Sequence, residues 1–141
     1  GAKQTTTIDL SSTYLTWARR NFALNGIAET NHRFIESDVL EWLRDSTETF
    51  DVIFIDPPTF SRSKRMERDF EVQHDHVQLI LWANQLLAPG GLIVFSNNYT
   101  RFKLDQQGLS EFQIQDWSRQ TLPKDFERNP KIHCCFAITP K

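Results

Sequence analysis

Three aspartates, Asp9, Asp38 and Asp56, stand at or just after the ends of β-branched or apolar runs. In an open parallel sheet, ligands bind beyond the carboxyl ends of the strands, so these acids are the first candidates for chemistry. Asp9 suits a pair of ribose hydroxyls, and Asp38 suits an adenine amino group. Each acid is equally suited to capping the helix that follows it. The segment Asp56-Pro57-Pro58-Thr59-Phe60 is more specific. Two successive prolines stiffen the backbone and remove two N–H donors, which leaves carbonyls, one carboxylate and an aromatic ring beside one another. Behind them, Arg62, Lys64, Arg65 and Arg68 crowd one stretch together with Glu67 and Asp69. Such cations either contact phosphates or form a solvated loop.

The remaining reactive side chains are less telling. Cys134 and Cys135 are adjacent and supply no disulfide framework and half of a zinc site at most. One of two neighbours on a strand must face the core, where cysteine serves as a small apolar residue. The rival role is a nucleophile for methylation at pyrimidine C5. His74 and His76 are two positions apart on a helix and cannot share a face, so no metal site is expected. His76 reads as a packed or capped residue.

Placing these residues requires an alternation of strands and helices. Thr5 to Asp9 reads as a strand, followed by a Ser11 or Ser12 cap and a helix with Leu15, Ala18 and Phe22 on one stripe, closed by Asn25-Gly26. His32 to Glu36 reads as a second strand, leading to a short helix carrying Val39, Trp42 and Leu43. Phe50 to Ile55 has the uninterrupted apolar core of a strand buried on both faces. Residues 57 to 69 form a polar loop too long for a tight turn. Val72, His76, Leu79 or Ile80, Ala83 and Leu87 then recur at helical spacing, and Pro89-Gly90-Gly91 is expected to stop that helix. Leu92 to Phe95 reads as a buried strand, and Phe112 to Trp117 and Ile132 to Thr139 as weaker ones. The expected architecture is an α/β sheet, mostly parallel, with an antiparallel C-terminal end.

Composition sets the outer bounds. The chain has 141 residues, 24% charged and 39% hydrophobic, which suits a single soluble domain that needs no disulfide or structural metal. With a net charge of −2, a nucleic acid would have to be held by local patches. No apolar run is long enough to span a bilayer and no secretory leader opens the chain, so a cytoplasmic location is expected.

The motif after the Phe50 strand, the acids after the two earlier strands, and the turn Leu86-Leu87-Ala88-Pro89-Gly90-Gly91 together resemble class I S-adenosylmethionine-dependent methyltransferases, a Rossmann-like fold. Residues 5–11 (TTTIDLS), 23–26 (ALNG), 50–66 (FDVIFIDPPTFSRSKRM), 95–98 (FSNN) and 132–135 (IHCC) narrow the resemblance. Together they are similar to the C-terminal methyltransferase domain of the bifunctional 23S rRNA guanine methyltransferases K/L. The resemblance implies S-adenosylmethionine as cofactor and transfer of its methyl group to N7 of a guanine in 23S ribosomal RNA. It also implies a companion N-terminal methyltransferase domain in the same long protein, no metal and no membrane. By position, Asp9 with Leu10 would hold the cofactor ribose and Asp38 with Val39 the adenine. Asp56 and Pro57 would meet the methionine end and the target base, and Phe60 would stack on that base. Arg62, Lys64, Arg65 and Arg68 would contact RNA.

Family strand order is 3-2-1-4-5-7-6, and this chain begins after the position of strand 1 and its Gly-rich loop. Residues 1–141 are therefore expected to be a partial domain, inactive by itself, with apolar surface and open strand edges at Thr5–Asp9 and Val52–Ile55. The alternatives are a cytosine-C5 rRNA methyltransferase with a cysteine nucleophile, or a non-catalytic fragment that binds RNA or a partner. A nicotinamide dehydrogenase is disfavoured by the lack of a dinucleotide loop with a catalytic acid–base.

Overall fold

The computed structural model describes residues 1–62 and 69–141, arranged as two compact units, Gly1–Asp45 and Ser46–Lys141. In the first unit, β1 (Thr5–Asp9) and β2 (His32–Glu36) pair in parallel, with Thr5 opposite His32 and Asp9 opposite Glu36. Helix α1 (Ser12–Leu24) links them. Its N-cap is Ser11, whose hydroxyl accepts the Tyr14 N–H, and it closes where Gly26 takes a left-handed φ of 66°. The helix buries Leu15 and sets the Phe22 ring edge-on to Phe34 at 5.1 Å and to His32 at 5.0 Å. Helix α2 (Val39–Asp45) follows and buries Leu43.

The second unit begins with β3 (Phe50–Ile55), continues through the short antiparallel pair β4 (Phe60–Ser61) and β5 (Phe70–Glu71), and enters helix α3 (Val72–Gln85). Strand β6 (Leu87–Asn97), strand β7 (Phe112–Asp116), the single-turn helix α4 (Ser118–Thr121) and strand β8 (Cys134–Pro140) complete it. Its main sheet has the order β3-β6-β8-β7, with β3 and β6 parallel and β8 antiparallel to both neighbours. The runs β2-β1 and β3-β6-β8-β7 reproduce the 3-2 and 4-5-7-6 parts of the expected order.

Helix α3 buries Val72, His76, Leu79, Ile80 and Ala83 of the stripe expected of it and packs on β6, while Leu87, expected to continue that stripe, opens β6. Ile93 and Phe95 of β6 are fully covered, each contributing about 1.5–3 kcal/mol of apolar burial.

Two expectations are revised. Pro89-Gly90-Gly91 lies inside β6 and not beyond a helix, because the helix already ends at Gln85. These residues form an irregularity at which the register against β3 shifts between Phe50 and Val52. Gly90 takes a φ of 76°, and a Cβ on Gly91 would lie 2.9 Å from the carbonyl oxygens of Asp51 and Ala88, so side chains are excluded from the bend. Strand β3 is not buried on both faces but is an edge strand with Val52 60% and Phe54 67% exposed, the open edge and apolar surface expected at Val52–Ile55. A strand paired on one side, with its covering helix over β6, leaves its alternate residues open.

Candidate functional site

Within Gly1–Asp45, Asp9 ends β1 and its carboxylate accepts the Ser11 N–H at 2.7 Å. Asp38 precedes α2 and accepts the Leu40 N–H at 2.8 Å. Asp38 thereby caps α2, one of the two roles open to it in the sequence, whereas Asp9 holds the amide of Ser11, the residue that itself caps α1. Each does so through one carboxylate oxygen, and the second has no hydrogen-bond partner among the described residues. Leu10 and Val39 are half-buried beside them.

Within Ser46–Lys141, the parallel pairing of β3 and β6 sets Ile55 opposite Phe95. The next residues in each strand are thereby neighbours, and the buried Ser96 hydroxyl donates to the exposed Asp56 carboxylate at 2.8 Å. Ser96 was not singled out in the sequence. The signal for it was its place, one residue after an apolar run parallel to the run that ends before Asp56. Pro57 and Pro58 carry the chain to Thr59, whose hydroxyl donates to the Asn98 side chain at 3.3 Å and whose carbonyl accepts the Val72 N–H. The Asp56–Phe60 segment is thus tied at one end to β6 and at the other to the start of α3.

Phe60 is 50% exposed, so its ring is available for stacking and is not a core anchor. The Arg62 guanidinium sits 5.5 Å from the Phe60 ring centroid and pairs with Asp69 at 3.0 Å. Among the expected RNA-contacting cations, Arg62 is engaged in this way, and Lys64, Arg65 and Arg68 lie outside the described residues. The Arg62–Asp69 pair and the β4–β5 pairing bring residues 60–62 and 69–71 together.

The cysteines fall opposite the end of β6. Cys134 is paired with Asn97 and Cys135 with Ser96. The Cys134 thiol donates to the Asn97 carbonyl, and burial pushes its pKa up to about 11. Burial likewise raises the Cys135 thiol, which is almost fully covered. A nucleophile must be a thiolate near neutral pH, and neither environment provides one. This argues against the cytosine-C5 alternative.

His76 is buried, and its Nε2 accepts the Asp105 N–H at 3.1 Å. The proton must then be on Nδ1, which donates to the Val72 and Gln73 carbonyls at 3.0 Å each. This is the packed histidine expected. Among the described residues there is no group of three metal-ligating side chains.

The chain matches a family model described as Conserved hypothetical protein 95 over residues 1–117. It is 50% identical over 141 residues to the Ribosomal RNA large subunit methyltransferase K/L of Desulfotalea psychrophila, covering 100% of this chain and 20% of that protein. It is 52% identical over 140 residues to the protein of the same name from Allochromatium vinosum, covering 98% and 19% respectively. The chain therefore spans about one fifth of the length of these curated relatives. Among solved structures it is similar to one described as a methyltransferase complexed with SAH, with a TM-score of 0.79, 27% identity and coverage of 98% of this chain and 39% of that one. The SAM-dependent methyltransferase from Agrobacterium tumefaciens shares the fold, with a TM-score of 0.67 at 16% identity, covering 96% and 48%. The architecture is the Rossmann-like α/β fold of these methyltransferases.

Proposed function

Because the chain belongs to the Conserved hypothetical protein 95 family, we propose that it transfers the methyl group of S-adenosylmethionine to N7 of a guanine in 23S ribosomal RNA. It would do so in the cytoplasm as part of one methyltransferase domain of a longer protein, beside an N-terminal methyltransferase domain. The observation that carries this reading is Asp56 anchored by Ser96 at the end of β3, four residues from the half-exposed ring of Phe60. The identity to large-subunit rRNA methyltransferases K/L along the whole chain supports it.

The residues present fit the cofactor. Asp9 and Asp38 each keep a carboxylate oxygen with no partner among the described residues, the acceptor that ribose hydroxyls and an adenine amino group require. Leu10 and Val39 would supply the adjoining backbone. Bound S-adenosylmethionine supplies an electrophilic methyl group on a sulfonium. Guanine N7 carries a free lone pair and no proton, so no general base is needed, and the chain's contribution is orientation. Asp56 acts as a fixed acceptor held by Ser96, and the Pro57 carbonyl lies beside it. Phe60 stacks on the base, a contact of about 1–3 kcal/mol. Arg62, Lys64, Arg65 and Arg68 are assigned to phosphates, Arg62 by exchanging the Asp69 carboxylate for one.

The test is methylation of large-subunit rRNA by the longer protein with methyl-labelled S-adenosylmethionine, followed by strand cleavage specific for 7-methylguanine. Cleavage at one guanine is expected. Label retained in RNA that resists this cleavage overturns the N7 assignment.

A further inference from the structure

The Asp56 edge of the second unit is also where two other connections meet the sheet. Asn97 ends β6 opposite Cys134, which opens β8, and the Trp117 N–H donates to the Cys135 carbonyl at 2.8 Å. The connection 117–133 therefore leaves and re-enters the sheet at the edge where β6 hands over to Asn98 and the segment 98–104. The first connection carries Arg119, Lys124, Arg128 and Lys131 against two acids, Asp125 and Glu127. The second carries Arg101 and Lys103, with Asp105 directly after it. All six cations are exposed, and among the described residues none forms an ion pair, in contrast to Arg62. With Asp105 and Asp116 at their ends counted beside Asp125 and Glu127, the two connections carry six cations against four acids, a local positive excess on a chain of net charge −2.

The 98–104 segment is also held in place. Gln73 grips the backbone of Lys103 twice, donating to its carbonyl and accepting its N–H, both at 2.9 Å. One turn along α3, His76 accepts the Asp105 N–H, and the Phe102 ring stands edge-on to His76 at 4.9 Å. Such fixing of the backbone reduces the ordering cost of a contact made by Lys103.

We propose that Arg101, Lys103, Arg119, Lys124, Arg128 and Lys131, on the two connections that leave the sheet at the Asp56 edge, form a second RNA-backbone surface in addition to Arg62, Lys64, Arg65 and Arg68. This rests on the proposed action on RNA. Each phosphate neutralised adds about 0.7 to the slope of log affinity against log salt on single-stranded RNA.

The experiment is a salt titration of binding between the protein and a large-subunit rRNA transcript. It uses the double variant Arg101→Ala/Lys103→Ala and the quadruple variant Arg119→Ala/Lys124→Ala/Arg128→Ala/Lys131→Ala. Each should lower the slope by at least about 0.7, the value of one contact, with the unfolding midpoint unchanged. Charge-conserving Arg→Lys and Lys→Arg versions should restore it. RNA binding with an unchanged slope in both alanine variants overturns the second surface and leaves the RNA reading intact. Failure of the unaltered protein to bind the transcript overturns the RNA reading, and this inference with it.

Discussion

Ser96 and Asp56, forty residues apart in the chain, meet across the parallel β3–β6 pair, with the serine hydroxyl donating to the carboxylate at 2.8 Å. The serine is buried and the carboxylate is exposed, so the bond fixes a group that points out of the sheet from a point inside it.

Removing the anchor and removing the acid should therefore differ in size. Asp56→Ala is expected to lower turnover by on the order of a hundredfold, the cost of a small misplacement at a reacting centre. Ser96→Ala leaves the carboxylate in place but free to swing, so its loss should be smaller than that of Asp56→Ala. Single-turnover methylation of rRNA by the longer protein carrying each substitution measures both. Equal losses in the two variants would show that Ser96 acts on the fold and not on the orientation of Asp56.

Asp9 and Asp38 have a structural role that must be separated from a binding one. Asp38 caps α2, so Asp38→Ala should cost about 0.5–2 kcal/mol of stability, and Asp9→Ala, which removes a hydrogen bond to the Ser11 amide, about 0.5–1.5 kcal/mol. If the free oxygens hold the cofactor, affinity for S-adenosylmethionine should also fall, by about 1–3 kcal/mol per acid. Denaturation read beside calorimetric binding distinguishes the two. Loss of stability at unchanged affinity would leave both acids a structural role alone.

Much of this was legible because local signals agreed. The Ser11 cap, Gly26 and the stripe Val72, His76, Leu79, Ile80 and Ala83 each follow from short-range rules, and the structure realises them. The resemblance carried by Asp56-Pro57-Pro58-Thr59-Phe60 anticipated the fold family. Misreadings arose where the outcome depends on distant partners. The Pro89-Gly90-Gly91 turn signal is compatible with a helix stop or a bulge, and the pairing of β6 with β3 decides for the bulge. The apolar run of β3 reads as buried on both faces, yet only its neighbours determine what covers Val52 and Phe54. Ser96 and Gln73 escaped notice because a lone serine or glutamine has no pattern, and each acquires its role from a backbone or carboxylate brought in by the fold.

The two cysteines should be chemically quiet. With the Cys134 thiol donating to the Asn97 carbonyl and its pKa raised to about 11, alkylation should stay slow at pH 8 and accelerate only as the pH approaches 11. Cys134→Ser and Cys135→Ser should leave turnover within a few-fold, folding losses aside. No covalent adduct should form with RNA carrying 5-fluorocytosine. A trapped adduct, lost in one of the two serine variants, would overturn the N7 assignment in favour of cytosine C5.

His76 sets an acid limit on the pinned 98–105 segment. Burial lowers its pKa from the ordinary 6.5, against the opposing pull of its backbone hydrogen bonds and of Asp105 and Asp75. The folded protein thus binds its proton less readily than the unfolded chain does. The stability this histidine lends is present in full above pH 6.5 and is lost as the pH falls from there through the lowered folded value. The structural cause is specific, because a second ring proton would be placed on Nε2, facing the Asp105 N–H that it now accepts. Amide exchange at Asp105 should therefore quicken, once corrected for intrinsic rates, as the pH drops below 6.5. His76→Gln should blunt that pH dependence, since glutamine does not titrate in this range. An Asp105 amide whose protection is indifferent to pH across this window would show that the ring remains neutral or that the bond does not hold the segment.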